Sequence, residues 1–204
     1  MLIKINQIKN KFLMLITETK TFLRKISGKS DYKRWGNQEN LSPDWDVRTR
    51  QIATLIEPGS SVIEFGAGRL ILRNFLPENC SYTPSDIVDR GSNTIVCDLN
   101  AQNLPEFQKY DVAVFSGVLE YINDVPRLVS HLSNFVNVII TSYATAEVNK
   151  KKRGVLGWVN NYTSTEFIEI FEKRGFQCIN SQECRSKAIK SQMIYKFVKE
   201  NNGK

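Results

Sequence analysis

Metal-binding and disulfide chemistry have little to work with in this sequence of 204 residues. It holds one histidine, His131, and four cysteines, Cys80, Cys97, Cys178 and Cys184, none of them in a C-x-x-C pair. That scarcity argues against a metal centre and a disulfide framework, and reduced, mostly buried thiols are the expectation. No cysteine has a base beside it in the sequence, so covalent catalysis through a thiol has no support. No apolar run comes near the roughly 20 residues that a bilayer-spanning helix needs. The early run Phe12-Leu13-Met14-Leu15-Ile16 is too short for a secretory signal, and no small-residue cleavage site follows it. A cytoplasmic chain is the expectation. Recognisable RNA-binding modules are missing too, and so are basic patches interleaved with aromatics. Nucleic acid is therefore not favoured as a substrate, despite a net charge of +7.

The 41% of hydrophobic residues is enough to build one domain with some chain left over. The positive charge is uneven. Residues 1–30 carry Lys4, Lys9, Lys11, Lys20, Arg24, Lys25 and Lys29 against Glu18 alone. A second basic excess begins near Val148 and includes Lys150-Lys151-Lys152-Arg153, while the stretch between is net acidic. Residues 1–34 read as a basic amphipathic extension, with Ile5, Ile8, Phe12, Leu15, Phe22 and Ile26 at helical spacing, and residues 35–204 as the folded domain. Three partners compete for the apolar face of that extension: its own domain, a second copy, and an anionic membrane surface reached through residues 1–30.

After a break at Ser27-Gly28-Lys29-Ser30, Ser42-Pro43-Asp44 opens a helix, with Ser42 as N-cap and Pro43 in the first helical position. Trp45, Ile52, Leu55 and Ile56 supply its apolar face, and Pro58-Gly59 ends it. Apolar segments then recur at Ser61–Phe65, Cys80–Thr83, Thr94–Cys97, Tyr110–Phe115 and Val138–Ile140, separated by helical patterns, which predicts a doubly wound, mostly parallel sheet. A capping box at Thr163–Glu166 opens a helix that ends at Lys173-Arg174-Gly175, and Phe176–Ile179 and Met193–Val198 read as two closing strands. The fold class is thus α/β, with seven strands and an N-terminal amphipathic helix.

The stretch around which the rest is organised is Ser61-Val62-Ile63-Glu64-Phe65-Gly66-Ala67-Gly68-Arg69-Leu70, a buried strand ending near an acid and followed by a glycine turn. Gly66 and Gly68 leave no side chain between the main chain and a docking ligand. A dinucleotide fingerprint requires a third glycine at the sixth position, where this chain has Ile71, so the NAD reading fails. The helix expected after the turn runs through Leu70, Ile71 and Phe75.

Glu64-Phe65-Gly66-Ala67-Gly68 resembles the first motif of the class I S-adenosylmethionine-dependent methyltransferases, an acidic–x–Gly–x–Gly–x–Gly turn, with Leu70 in place of the last glycine. The resemblance extends from about Trp45 to Lys199 and implies an antiparallel final strand pair. It also implies S-adenosylmethionine as cofactor, held by Glu64, Gly66, Ala67, Gly68, Asp86, Asp98, Leu99, Ser116 and Gly117. In that reading Asp86 accepts from the ribose hydroxyls, and Asp98 accepts from the adenine amino group with Leu99 against the ring. Ser116-Gly117-Val118-Leu119-Glu120-Tyr121 resembles the family's segment after the fourth strand, with Tyr121 where a histidine is usual. Tyr121 and Tyr143, just past the fourth and fifth strands, are the candidates for orienting a substrate; His131, inside a helix, is an ordinary packing residue. The expected acceptor is a small molecule or glycan intermediate methylated on O or N. The Lys150–Arg153 run reads either as a basic lid over an anionic acceptor or as a solvated charge run. A non-catalytic methyltransferase-like module docking to a membrane or protein is the other class of function that fits.

Overall fold

The computed structural model describes residues 2–91, 93–149, 153–185 and 192–200. Seven strands form one sheet in the order β3-β2-β1-β4-β5-β7-β6. They are β1 Ser61–Phe65, β2 Ser81–Asp86, β3 Ile95–Val96, β4 Tyr110–Phe115, β5 Val136–Tyr143, β6 Phe176–Glu183 and β7 Met193–Lys199. The pairs among β1 to β5 are parallel, whereas β7 runs antiparallel to both β5 and β6. The helices are α1 Leu2–Ser27, α2 Tyr32–Gly36, α3 Asp46–Ala53, α4 Val125–Leu132, α5 Ala146–Asn149 and α6 Ser164–Glu172. No described helix is long and apolar enough to cross a membrane.

The central strands are buried on both faces, as parallel strands covered by helices must be. Along β4, Val112 and Val114 join Ile52, Val62 and Ile140 in one core under α3. Ala113 and Phe115 alternate into the opposite core with Ile63, Phe65, Leu128, Phe167 and Phe171 under α4 and α6. The capping box of α6 forms as its sequence predicts. Thr163 accepts from the Glu166 backbone, Glu166 reaches back to Thr163, and Gly175 takes φ 78° just past the helix end. Ser42 likewise caps a 3₁₀ turn, Pro43–Trp45, that leads into α3.

One expected element is much shorter than its apolar spacing suggests. After the glycine turn there is a single 3₁₀ turn, Leu72–Asn74, in place of a helix. Leu70 sits at φ 59° and Asn79 at φ 61°. A left-handed residue cannot belong to a right-handed helix, so Leu70 removes the first turn, and Pro77 with Asn79 ends the connection before another can grow.

Candidate functional site

The carboxyl ends of β1, β2, β3 and β4 open onto a cavity of about 400 Å³, the place where doubly wound sheets bind ligands. Glu64, Gly66, Ala67, Gly68, Asp86, Asp98, Leu99, Ser116, Gly117 and Tyr121 all line it. The structure thus brings every expected site residue except Tyr143 to one hollow.

The bend after β1 has an unusual backbone. Gly66, Gly68 and Leu70 take φ of 69°, 52° and 59°, so the third position keeps the left-handed angle for which glycine is the natural choice, although it carries a leucine. Gly66 has a second reason to be glycine: a Cβ there would lie 2.5 Å from Val118 Cγ2. Asp86 is buried at the tip of β2 and is aimed at this bend. Its Oδ2 accepts from Gly68 N at 2.7 Å and its Oδ1 from Ile87 N at 2.7 Å. Arg90, four residues further on, places Nε 3.3 Å from Asp86 Oδ2 and also donates to the carbonyl of Trp35. Asp86 therefore organises the bend, with lone pairs left for a ligand.

Glu64 is 3% exposed and accepts from Tyr82 Oη at 2.6 Å. Burial pushes its carboxyl up to about 8, against the Tyr82 hydrogen bond, which favours the ionised form. Asp98 lies against the segment that follows α1. Ser30 Oγ donates to Asp98 Oδ1 at 2.6 Å and Tyr32 Oη to Oδ2 at 3.0 Å. Asn100 ties this corner to the β4 tip, donating through Nδ2 to Ser30 Oγ and to the carbonyl of Tyr121.

The other wall is aromatic. Trp35, Trp45 and Trp158 all line the cavity with Tyr121 and Arg34. Trp35 meets Tyr121 edge-on at 4.7 Å and Trp45 at 6.3 Å. Arg34 lies over Trp35 at 4.6 Å and donates to the carbonyl of Leu156. Trp158 Nε1 donates to Tyr121 Oη at 3.1 Å. Burial pushes the Tyr121 phenol up to about 12, so it is a neutral hydrogen-bond donor near pH 7 and cannot serve as a base there.

Tyr143 is a correction to the sequence reading. It is fully buried and does not line the cavity. Its ring stacks on Phe167 at 4.2 Å, and its hydroxyl donates to Asn160 Oδ1 at 2.6 Å while accepting from Arg153 and Tyr162 N. The last residue of β5 faces the core under α6, so it braces the chain from 153 to 162 and reaches no ligand. Arg153 is neither lid nor solvated charge. It is 5% exposed and holds the carbonyls of Ala144 and Asn160. Lys150-Lys151-Lys152 fall outside the described residues. His131 is remote from the cavity, with Nε2 donating to the carbonyl of Pro105 and its ring against Phe135.

Sequence reasoning missed Arg48. It is 6% exposed and donates to Ser116 Oγ, to the Ser116 carbonyl and to Gln192 Oε1 at 2.8–3.0 Å. A Cβ on Gly117, at φ 71°, would lie 2.4 Å from this guanidinium. The only hint is its position one helical turn before Ile52 on the buried face of α3. Glu120, also fully buried, accepts through Oε1 from Ala144 N and Gln192 Nε2.

These features define a class I methyltransferase fold, and comparison with known proteins agrees. A family model described as a methyltransferase domain matches residues 38–181, more than half of the chain; the chain belongs to that family. Among curated proteins none matches. Solved structures with the same fold include the 1,6-didemethyltoxoflavin N1-methyltransferase of Burkholderia thailandensis, bound to its substrate and S-adenosylhomocysteine. It has a TM-score of 0.63 and 12% identity, with 95% of this chain and 90% of that one covered. The magnesium protoporphyrin IX methyltransferase of Synechocystis, bound to S-adenosylhomocysteine, has a TM-score of 0.58 and 20% identity, with 89% and 100% covered. An N-methyltransferase of Bradyrhizobium japonicum has a TM-score of 0.60 and 12% identity, with 82% and 95% covered.

Proposed function

We propose that the cavity holds S-adenosylmethionine along the strand tips and a small-molecule or glycan acceptor under the aromatic wall, and that the protein methylates an O or N nucleophile of that acceptor. The observation that carries this reading is the continuity of the two walls. The glycine bend, Asp86 and Asp98 share one hollow with Trp35, Trp45, Tyr121 and Trp158.

In this reading the bare peptide of Gly66–Gly68 lies against the amino-acid end of the cofactor, and Asp86 accepts from its ribose. Asp98 accepts from the adenine amino group with Leu99 against the ring, and Ser116-Gly117 closes the fourth strand tip. Bound there, the cofactor supplies an activated methyl group on a good leaving group. The chain's part is alignment, an effect worth up to about 7–11 kcal/mol. Tyr121 donates a hydrogen bond to the acceptor, and the indole faces take up a flat ring or the apolar face of a sugar.

Three of the described titratable groups that line the cavity are poorly suited to strip a proton from a weakly acidic hydroxyl. Tyr121 is held neutral, Glu64 keeps its proton near pH 7, and burial pushes the Cys97 thiol up to about 11. The acceptor that suits these groups carries a nucleophile that is already neutral and basic, such as a ring nitrogen, or one that ionises readily, such as an acidic phenol, and a glycan would be methylated at such a group, for example an amine, rather than at a plain sugar hydroxyl.

Incubation with methyl-labelled S-adenosylmethionine and a panel of N-heterocycles, phenols and glycosides tests this. Label should enter one low-molecular-weight class, and Tyr121→Phe should lower the yield. Label passing to protein or RNA of a cell extract, with none in the small-molecule fraction, would overturn the acceptor assignment.

A further inference from the structure

Helix α1 packs against the domain by its polar edge and turns its apolar face outward. Among its described side chains Thr21 is the buried one, 3% exposed, and its hydroxyl donates to the carbonyl of Gly154 at 2.9 Å. The Glu18 side chain borders Gly154, and Arg24 pairs with Asp31 at 2.9 Å. At 100° per residue the opposite side carries Phe12, Leu15, Phe22, Leu23 and Ile26, which are 63%, 59%, 61%, 58% and 69% exposed. The same spacing continues in the sequence to Ile5 and Ile8, whose side chains lie outside the described residues.

The charges decide what covers this face. Exposed Lys9 and Lys20 border the apolar stripe on one side and exposed Lys11 and Lys25 on the other. Glu18 is the sole acid in residues 1–30; it is exposed and lies on the same border as Lys11 and Lys25, with its Cβ and Cγ beside Gly154. A second copy laid against the stripe would set four lysines of one rim pair on four of the other, with Glu18 as the one acid each copy could offer against them. An anionic bilayer supplies countercharge along both rims, while its acyl boundary takes the phenylalanine and leucine side chains; long lysine stems reach the headgroups from either border.

We propose that α1 is an interfacial helix that seats the protein on anionic lipid bilayers. The inference rests on α1 alone and holds whatever the acceptor is. Since Ser30 and Arg34 line the cavity just beyond the helix, a seated protein keeps its acceptor chamber joined by a short linker to the membrane surface.

Co-sedimentation of the full chain with vesicles tests the proposal, using phosphatidylcholine alone and phosphatidylcholine mixed with phosphatidylglycerol. The wild type should partition onto the mixed vesicles at least about tenfold better than onto the neutral ones, and added salt should erase the difference. Phe12→Glu with Phe22→Glu should cut partitioning by about tenfold or more. Lys9→Gln, Lys11→Gln, Lys20→Gln and Lys25→Gln together should flatten the salt dependence. Circular dichroism matching the wild type shows that the variants are folded. Wild type remaining in the supernatant, or equal sedimentation of the Phe12→Glu/Phe22→Glu variant, would overturn the proposal. So would a homodimer in sedimentation equilibrium that Phe22→Glu dissociates, because a second copy would then own the face.

Discussion

The two walls of the cavity are built differently. The strand-tip wall is mostly main chain. Its shape comes from left-handed residues at 66, 68 and 70 and from a buried carboxylate that accepts backbone N–H groups. The aromatic wall is mostly side chain. It comes from segments far apart in sequence, around Trp35, Tyr121 and Trp158, which are held together by ring contacts and single hydrogen bonds. A wall made of backbone tolerates little change and suits a ligand that is always the same, whereas a wall made of side chains can be altered one residue at a time. In the proposed reading the cofactor lies on the first wall and the acceptor on the second.

That contrast breaks most sharply at Asp86. Replacing it with Ala leaves Gly68 N without its acceptor and the buried Arg90 Nε without its ion-pair partner, and removing one partner of a buried pair costs about 3–5 kcal/mol. Asp86→Ala should lose that much in urea unfolding and weaken cofactor binding by about a hundredfold or more in calorimetry. On the opposite wall, Trp158→Phe removes the indole donor to Tyr121. The acceptor KM should rise about tenfold, equivalent to ~1.4 kcal/mol, while the cofactor Kd stays within about twofold. Equal effects on both ligands would show that the walls are not independent.

Glu64 gives the strand-tip wall a pH signature. Its folded pKa is about 8 against an ordinary 4.5, so between those values the folded protein keeps a proton that the unfolded chain has lost. Its contribution is fully present below about 4.5 and is lost as pH rises through 8. Denaturation midpoints should fall across that window, and Glu64→Gln should flatten the slope. The smallest effect is expected at Leu70. Glycine would relieve a left-handed strain of about 1–2 kcal/mol but give up a buried side chain worth about 1.5–3 kcal/mol. Leu70→Gly should shift stability by no more than ~2 kcal/mol and leave the cofactor Kd unchanged.

Much of the backbone wall was legible in the sequence because its signals are local. A glycine spacing, an acid at a strand end and a run of β-branched residues each announce themselves within a few positions. The antiparallel strand order followed only from the family resemblance. The aromatic wall was nearly invisible. Nothing near Trp158 or Arg34 says that they meet Tyr121, and Arg48 looks like any helical arginine until Ser116 and Gln192 close on it. Local pattern also misled twice. Leu70, Ile71 and Phe75 have helical spacing, yet one left-handed residue cancels the helix. Tyr143 sits at a strand end, where site residues gather, yet its ring faces Phe167 in the core.

The strand-tip wall is tested most directly by calorimetric titration of the purified protein with S-adenosylhomocysteine, beside a Gly66→Val variant whose side chain meets Val118. Saturable one-to-one binding by the wild type, lost in the variant while its circular dichroism is retained, is the predicted result. No heat of binding from a folded wild type, or equal affinity in the two proteins, would contradict a cofactor seat at that bend.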